Sequence, residues 1–254
     1  MRLLRLLWLI LHLFRGLATC ALIFPFVDVR GREHHIRRWS HALLRICRVE
    51  LRVIRNDEAE DLPRALIVAN HHSWLDIFVI NAMHPCRFVA KSEIRKWPLI
   101  GWLCEQVGTI FIERGRLRDV RRIYQGLVES LHAGEHVAFF PEGTVSEQGS
   151  LHPFHANLFE AAIEAAVPVQ PFALRYLDRA GNYAESIRYV VPITFPQSLW
   201  MILGGPPIVA ELRLLAPIPT PHGAHRRDLA NAARAAIAPA LGIPTAEVQT
   251  EPGA

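Results

Sequence analysis

The chain has 254 residues, is 51% hydrophobic, and carries a formal net charge of +4 from 28 Lys+Arg against 24 Asp+Glu. That length suits one domain with a full core, and neither an internal repeat nor a low-complexity segment interrupts it. Its four cysteines (Cys20, Cys47, Cys86, Cys104) have no CxxC spacing, which argues against a disulfide framework or thiolate metal site and fits a reducing compartment.

The charge is unevenly spread. Residues 1–56 hold eleven Arg and three acids, so a basic, apolar N-terminal part precedes a mildly acidic body. This pattern suits an anionic membrane surface. Nucleic acid is disfavoured, because the basic residues alternate with long aliphatic ones and not with polar residues and stacking aromatics.

Leu3 to Val27 is strongly apolar, yet Arg2, Arg5, His12 and Arg15 fall on one side of a helical wheel. The stretch is long enough to cross a hydrocarbon core of about 30 Å, but mid-membrane arginines would each cost roughly 2.5–3.5 kcal/mol. An interfacial or re-entrant helical hairpin is therefore preferred to a simple span. His34 to Val49 predicts a second amphipathic helix, with Ile36, Trp39, Leu43 and Leu44 opposite Arg37, Arg38, His41 and Arg45. It suits either a headgroup layer or an ordinary surface helix packed on the domain.

The body alternates strands and helices. Strands are expected at Glu50–Arg55, Ala65–Ala69, Arg87–Ala90, Thr109–Ile112, His136–Phe140 and Pro168–Arg175, and more weakly at Tyr189–Ile193 and Pro207–Leu215. Helices are expected after Leu75, from Pro98 to Val107, from Leu117 to Leu131, from Asn157 to Ala166 and from His225 to Ala238. The predicted fold is α/β: a mixed, centrally parallel sheet flanked by helices, with an N-terminal membrane-anchoring helical segment. The expected organisation is 1–49 membrane-associating helices, 50–240 the α/β domain and 241–254 a tail.

The most informative stretch is Asn70-His71-His72-Ser73-Trp74-Leu75-Asp76, a strand-to-helix corner of the kind where α/β enzymes present reactive groups. A neutral imidazole at His71 takes a proton from an attacking alcohol, while a carboxylate on its other nitrogen fixes the tautomer and stabilises the imidazolium. His72 is the nearest competing base. Ser73-x-x-Asp76 also fits a capping box, in which Asp76 only closes a helix N-terminus. Metal is not expected, since no His-Glu-x-x-His or paired-Cys pattern occurs. Two further strand ends deliver Glu113-Arg114-Gly115 and Pro141-Glu142-Gly143-Thr144. In one sheet, His71, Arg114 and Glu142 would line the same rim. Arg114 offers a planar fork for phosphate or a surface ion pair, and Gly143-Thr144 offers backbone N–H groups to an anion or simply a tight turn.

Together these stretches resemble the glycerolipid acyltransferases, the 1-acylglycerol-3-phosphate acyltransferases and their relatives. His71-x4-Asp76, Gly108-Thr-Ile-Phe-Ile-Glu-Arg114, Phe140-Pro-Glu142-Gly143-Thr144 and Val167-Pro168-Val169-Gln170-Pro171 match the family's blocks in order and spacing, over roughly residues 60–180. The resemblance implies that His71 is the general base and that Asp76 orients it. It implies that Arg114, with Lys91, binds the acceptor's phosphate, and that Glu142, Gly143 and Thr144 shape the acceptor site. It implies no cofactor and no covalent acyl-enzyme; acyl-CoA or acyl-carrier protein is the co-substrate and a lysolipid, usually lysophosphatidic acid, the acceptor. The enzyme would sit on the cytoplasmic face of the inner membrane. One position departs from the pattern. Val145 stands where the third block commonly has Arg, which opens the alternative of a lysolipid without a phosphomonoester, such as lyso-ornithine lipid, or of another lysophospholipid. A thioester hydrolase and a non-catalytic membrane-binding module are the remaining alternatives.

Overall fold

In a computed structural model, residues 1–57, 62, 64–112 and 117–244 are described, with only the backbone for 117–123. Two helices lead the chain, α1 (Arg2–Leu22) and α2 (Val29–Ile46). The body then runs β1 (Val49–Arg55), β2 (Leu66–Ala69), α3 (Asp76–Met83), β3 (Arg87–Lys91), α4 (Ile100–Gln106), β4 (Ile110–Ile112), α5 (Leu117–His132) and β5 (Val137–Phe139). It closes with α6 (Glu160–Glu164), β6 (Val169–Leu177), α7 (Phe195–Gly204), β7 (Ile208–Leu214) and α8 (Arg226–Ala240).

The strands form one sheet in the order β1-β7-β6-β2-β5-β3-β4. β6, β2, β5, β3 and β4 are mutually parallel; β7 turns antiparallel to β6, and β1 pairs parallel to β7. β2 is the middle strand and all four of its residues are buried, as its unbroken apolar run requires of a strand covered on both faces. Helices α2, α3 and α7 cover one face, over a core that includes Leu44, Val79, Ile80, Phe172, Leu174 and Leu203. Helices α5, α6 and α8 cover the other, over Leu127, Leu131, Phe159, Ala162 and Ala233. Because β2, β5, β3 and β4 run the same way, their carboxyl ends share one rim.

The two leading helices behave differently. α2 turns its apolar side inward: Leu43, Leu44 and Cys47 enter the core beside α3, which is the packed surface-helix arrangement. α1 is inside out. Leu3, Leu4, Leu7, Trp8, Leu11 and Phe14 are exposed, while His12, Gly16 and Cys20 are buried against the protein. Polar groups make several of its contacts, beside the partly buried Leu6 and Leu9: Arg5 donates to the Leu203 carbonyl at 2.7 Å, and the His12 ring stacks on Trp39 with centroids 4.4 Å apart. Gly16 allows this approach, since a Cβ there would lie 2.7 Å from Trp39 Nε1.

One expected strand is absent. Tyr189–Ile193 is irregular, with a cis peptide bond at Val191-Pro192, because Pro192 has no N–H for a ladder. The chain then enters α7, which the sequence pattern did not reveal. Thr194 and Gln197 form a capping box at its start, with a proline in its first turn. The expected tail falls mostly outside the described residues, as do Glu113, Arg114, Gly115 and Arg116.

Candidate active site

The His71 corner is fixed from below by Asn70, the first residue after β2. Its amide oxygen accepts from Leu174 N at 2.8 Å and its nitrogen donates to the Leu174 carbonyl at 2.8 Å, tying the strand end to β6. The same nitrogen lies 2.8 Å from His72 Nε2. That contact makes Nε2 an acceptor and leaves Nδ1–H to donate to the Ser146 carbonyl at 3.0 Å. His72 is thus buried, with both ring nitrogens engaged, and the competing base is removed from consideration.

His71 is placed otherwise. Its Nδ1 lies 2.7 Å from Asp76 Oδ2, with the histidine side chain 20% exposed and the carboxylate fully buried. The ring stacks on Phe140 at 4.1 Å, nearly parallel. With Nδ1–H held by the carboxylate, Nε2 on the far edge of the ring carries the lone pair. Asp76 also accepts from the backbone N–H groups of His72 at 2.7 Å and Ser73 at 2.9 Å. Capping and orienting are therefore done by one oxygen, not by alternative arrangements. Tyr176 completes the set, donating its hydroxyl to Asp76 Oδ1 at 2.7 Å.

Glu142 turns inward, bonding backbone on both sides of the corner. It is 3% exposed. One carboxylate oxygen accepts from His71 N at 2.7 Å and the other from His152 N at 2.9 Å. Burial raises its pKa, against the lowering effect of those two N–H bonds. Its work is to clamp the loop after β5 onto the histidine's backbone. Ser146 N adds a bond to the His71 carbonyl at 2.7 Å. Gly143 has φ +69°, a conformation glycine tolerates, and its N–H closes a turn onto the Phe140 carbonyl. Thr144 is exposed beside it. Lys91 is exposed at the carboxyl end of β3, on the same rim as His71. Arg114 lies outside the described residues, two positions past the end of β4.

Trp74 reaches the other way. Its Nε1 donates to Ser198 Oγ at 3.2 Å, and its ring meets Phe195 edge-on at 5.3 Å. The motif is thereby joined to α7, beside an apolar groove lined by Pro192, Ile193, Pro196, Gln197, Trp200 and Met201. Sequence reasoning did not find Tyr176, Ser146 or His152. Ser146 lies two residues after Thr144 of the third block and was within reach of a spacing argument. Tyr176 is 100 residues from its partner, on a strand whose alternation shows only that it faces inward.

The acyltransferase family model matches residues 50–175. The lyso-ornithine lipid O-acyltransferase of Pseudomonas aeruginosa is 40% identical over 229 residues, covering 89% of this chain and 86% of that protein. The chain belongs to the acyltransferase family. A second relative from this family, the 1-acyl-sn-glycerol-3-phosphate acyltransferase of Neisseria gonorrhoeae, is 42% identical over 138 residues, 54% of each chain. The crystal structure of the 1-acyl-sn-glycerophosphate (LPA) acyltransferase PlsC from Thermotoga maritima superposes with a TM-score of 0.67 at 19% identity, over 100% of both chains. That likeness confirms the acyltransferase architecture: a mostly parallel sheet between helices, preceded by an apolar helix. Residues Arg2–Phe26 are long and apolar enough to cross a membrane.

Proposed function

We propose that this acyltransferase moves a fatty acyl chain from acyl-CoA or acyl-carrier protein to the free hydroxyl of lysophosphatidic acid, giving phosphatidic acid. The observation that supports it most directly is the His71–Asp76 pair, 2.7 Å apart at the sheet rim with Nε2 on the open edge. The acceptor hydroxyl gives its proton to His71 Nε2 as its oxygen bonds to the thioester carbonyl carbon. The imidazolium is stabilised by the Asp76 carboxylate. Collapse of the tetrahedral intermediate breaks the C–S bond, and the proton passes from His71 to the leaving sulfur. The substrate brings its own nucleophile, so no acyl-enzyme forms and no cofactor takes part. Lys91, on the rim, and Arg114 bind the acceptor's phosphate, and Gly143 and Thr144, on the loop after β5, bound the acceptor space with Glu142 behind them. The inside-out α1, with basic residues at both helices, supports attachment to anionic lipids at the cytoplasmic face of the inner membrane.

A second acceptor is favoured by two observations. Val145 removes a cation from the third block, and the Pseudomonas relative matched over 86% of its length is named for lyso-ornithine lipid. Transfer from one labelled acyl thioester, with lysophosphatidic acid and lyso-ornithine lipid in parallel and His71→Ala as control, separates the two. Product with lysophosphatidic acid that the variant fails to make supports the first reading. Product only with lyso-ornithine lipid replaces it with the second. Thiol release without added lysolipid would make the protein a hydrolase.

A further inference from the structure

Asp76 is fully buried and its carboxylate takes four donors. Three of them, His71 Nδ1 and the N–H groups of His72 and Ser73, crowd onto Oδ2. Only Tyr176 serves Oδ1 among the described hydrogen bonds, at 2.7 Å from a side chain that is itself fully buried. The backbone that carries the phenol is tied on both sides: Tyr176 N donates to Gln148 Oε1 at 2.7 Å in the loop after β5, and the Tyr176 carbonyl accepts from Ala184 N at 3.0 Å. A phenylalanine would fill the same core space without the cost of burying a hydroxyl. The hydroxyl therefore has a use, and the one group it reaches is the carboxylate behind His71.

Resting on the reading of His71 as the base, we propose that Tyr176 is a positioning residue for acyl transfer. Its hydroxyl holds the Asp76 carboxylate in the plane that aims Oδ2 at His71, and it draws off part of the negative charge that would otherwise pull on the imidazole. Burial, and then the neighbouring carboxylate, push the Tyr176 hydroxyl well above its ordinary pKa, so it stays a donor. The other ionisable groups joined to this motif are His72, bonded to Asn70 and the Ser146 carbonyl, and Glu142, bonded to the His71 and His152 N–H groups. Neither has a described hydrogen bond to Tyr176.

Losing the hydroxyl leaves Oδ1 unmet and the carboxylate more basic, which favours the imidazolium before the substrate arrives. The acid limb of the kcat/KM profile then moves to higher pH. The test uses the full-length protein in detergent with the acceptor that the parallel assay selects, and compares wild type, His71→Ala, Tyr176→Phe, and 3-fluorotyrosine placed at 176 by nonsense suppression. Tyr176→Phe should lower kcat about tenfold, leave both KM values within about twofold, and move the acid limb up by about half a unit. Fluorotyrosine, a stronger donor of nearly the same shape, should move the limb the opposite way, and it serves even where the phenylalanine variant fails to fold. Wild-type kcat and limb in both variants overturns the proposal, as does a uniform loss with an unmoved limb. Activity retained by His71→Ala overturns the base reading itself, and this inference with it.

Discussion

Asp76→Asn separates the charge of the buried carboxylate from its shape. Asparagine has one oxygen, and three donors compete for the position of Oδ2, so the oxygen belongs there. The amide nitrogen then takes the position of Oδ1 and faces the Tyr176 hydroxyl, which rotates to accept instead of donate. The three donors on Oδ2 keep a partner and His71 keeps its Nδ1–H tautomer, while the buried Tyr176 O–H loses its acceptor, at a cost of about 1–3 kcal/mol of stability. What disappears is a negative charge 2.7 Å from Nδ1 at the moment the imidazolium forms. Opposite charges centred about 4 Å apart interact by about 4 kcal/mol at an effective dielectric of about 20. A hydrogen bond to a charged partner exceeds a neutral one by about 1–2 kcal/mol. The first figure already contains most of the second, so the loss is about 3–4 kcal/mol, and kcat should fall about 10²- to 10³-fold. Asp76→Ala strands the same donors in the core and should cost about 3–5 kcal/mol of stability besides. The assay is turnover at saturating donor and acceptor, paired with thermal melting. An Asp76→Asn protein that stays folded and turns over within about fivefold of wild type would refute the electrostatic role.

Three other expectations follow from single features. Burial and the neighbouring His84 lower the pKa of His136 from 6.5 to about 4. Between those values the unfolded chain binds a proton that the folded protein refuses, so stability present at pH 7 is lost as pH falls from 6.5 toward 4, by roughly 2–3 kcal/mol. Urea unfolding across that range checks it, and His136→Asn should flatten the slope; equal slopes would contradict it. Leu7→Glu with Phe14→Glu, both on the exposed side of α1, should cut binding to anionic vesicles at least tenfold without lowering the melting temperature, measured by vesicle sedimentation. Lys91→Ala should raise KM for lysophosphatidic acid roughly tenfold, as for one charge-assisted contact, while leaving KM for lyso-ornithine lipid unchanged. An equal rise for both acceptors would remove phosphate binding from Lys91.

Period and punctuation carried much of the fold. The apolar run at β2 and the glycines at 108 and 134, both with positive φ, marked their elements because local chemistry decides them. α7 was illegible for the opposite reason: two prolines and a mixed apolar stretch around Pro192 and Pro196 obscure the helical period. The His71–Asp76 pair was readable because its members share one turn. Glu142 was readable as a motif residue but not as a clamp, since spacing reports that a carboxylate is near a corner and not which way it turns. Tyr176 lay beyond reach altogether, because a register between β2 and β6 is set by tertiary packing.

The same tertiary packing gives the leading hairpin more than an anchoring part in the reading proposed for it. Arg5 and Arg2 donate to the last carbonyls of α7, at Leu203 and Gly204, and Arg2 also lies over the Trp200 ring at 5.7 Å. Cations at a helix C-terminus are favoured by its dipole, so α1 is held to α7 by its charges while its apolar side stays outward. Four residues before the end of that helix, Trp200 shares the groove with Pro196; nearer its start, Ser198 and Phe195 hold Trp74, which sits between His71 and Asp76. Helix α1, α7 and the motif are therefore linked by hydrogen bonds and ring contacts. In the proposed reading α1 settles in the lipid surface and carries the His71 rim with it. A lysolipid would then need to rise from the bilayer only as far as its hydroxyl, its remaining chain staying among apolar groups. This accounts for Arg2 and Arg5 on a helix that otherwise reads as lipid-seeking: both contact α7, where they fix its orientation.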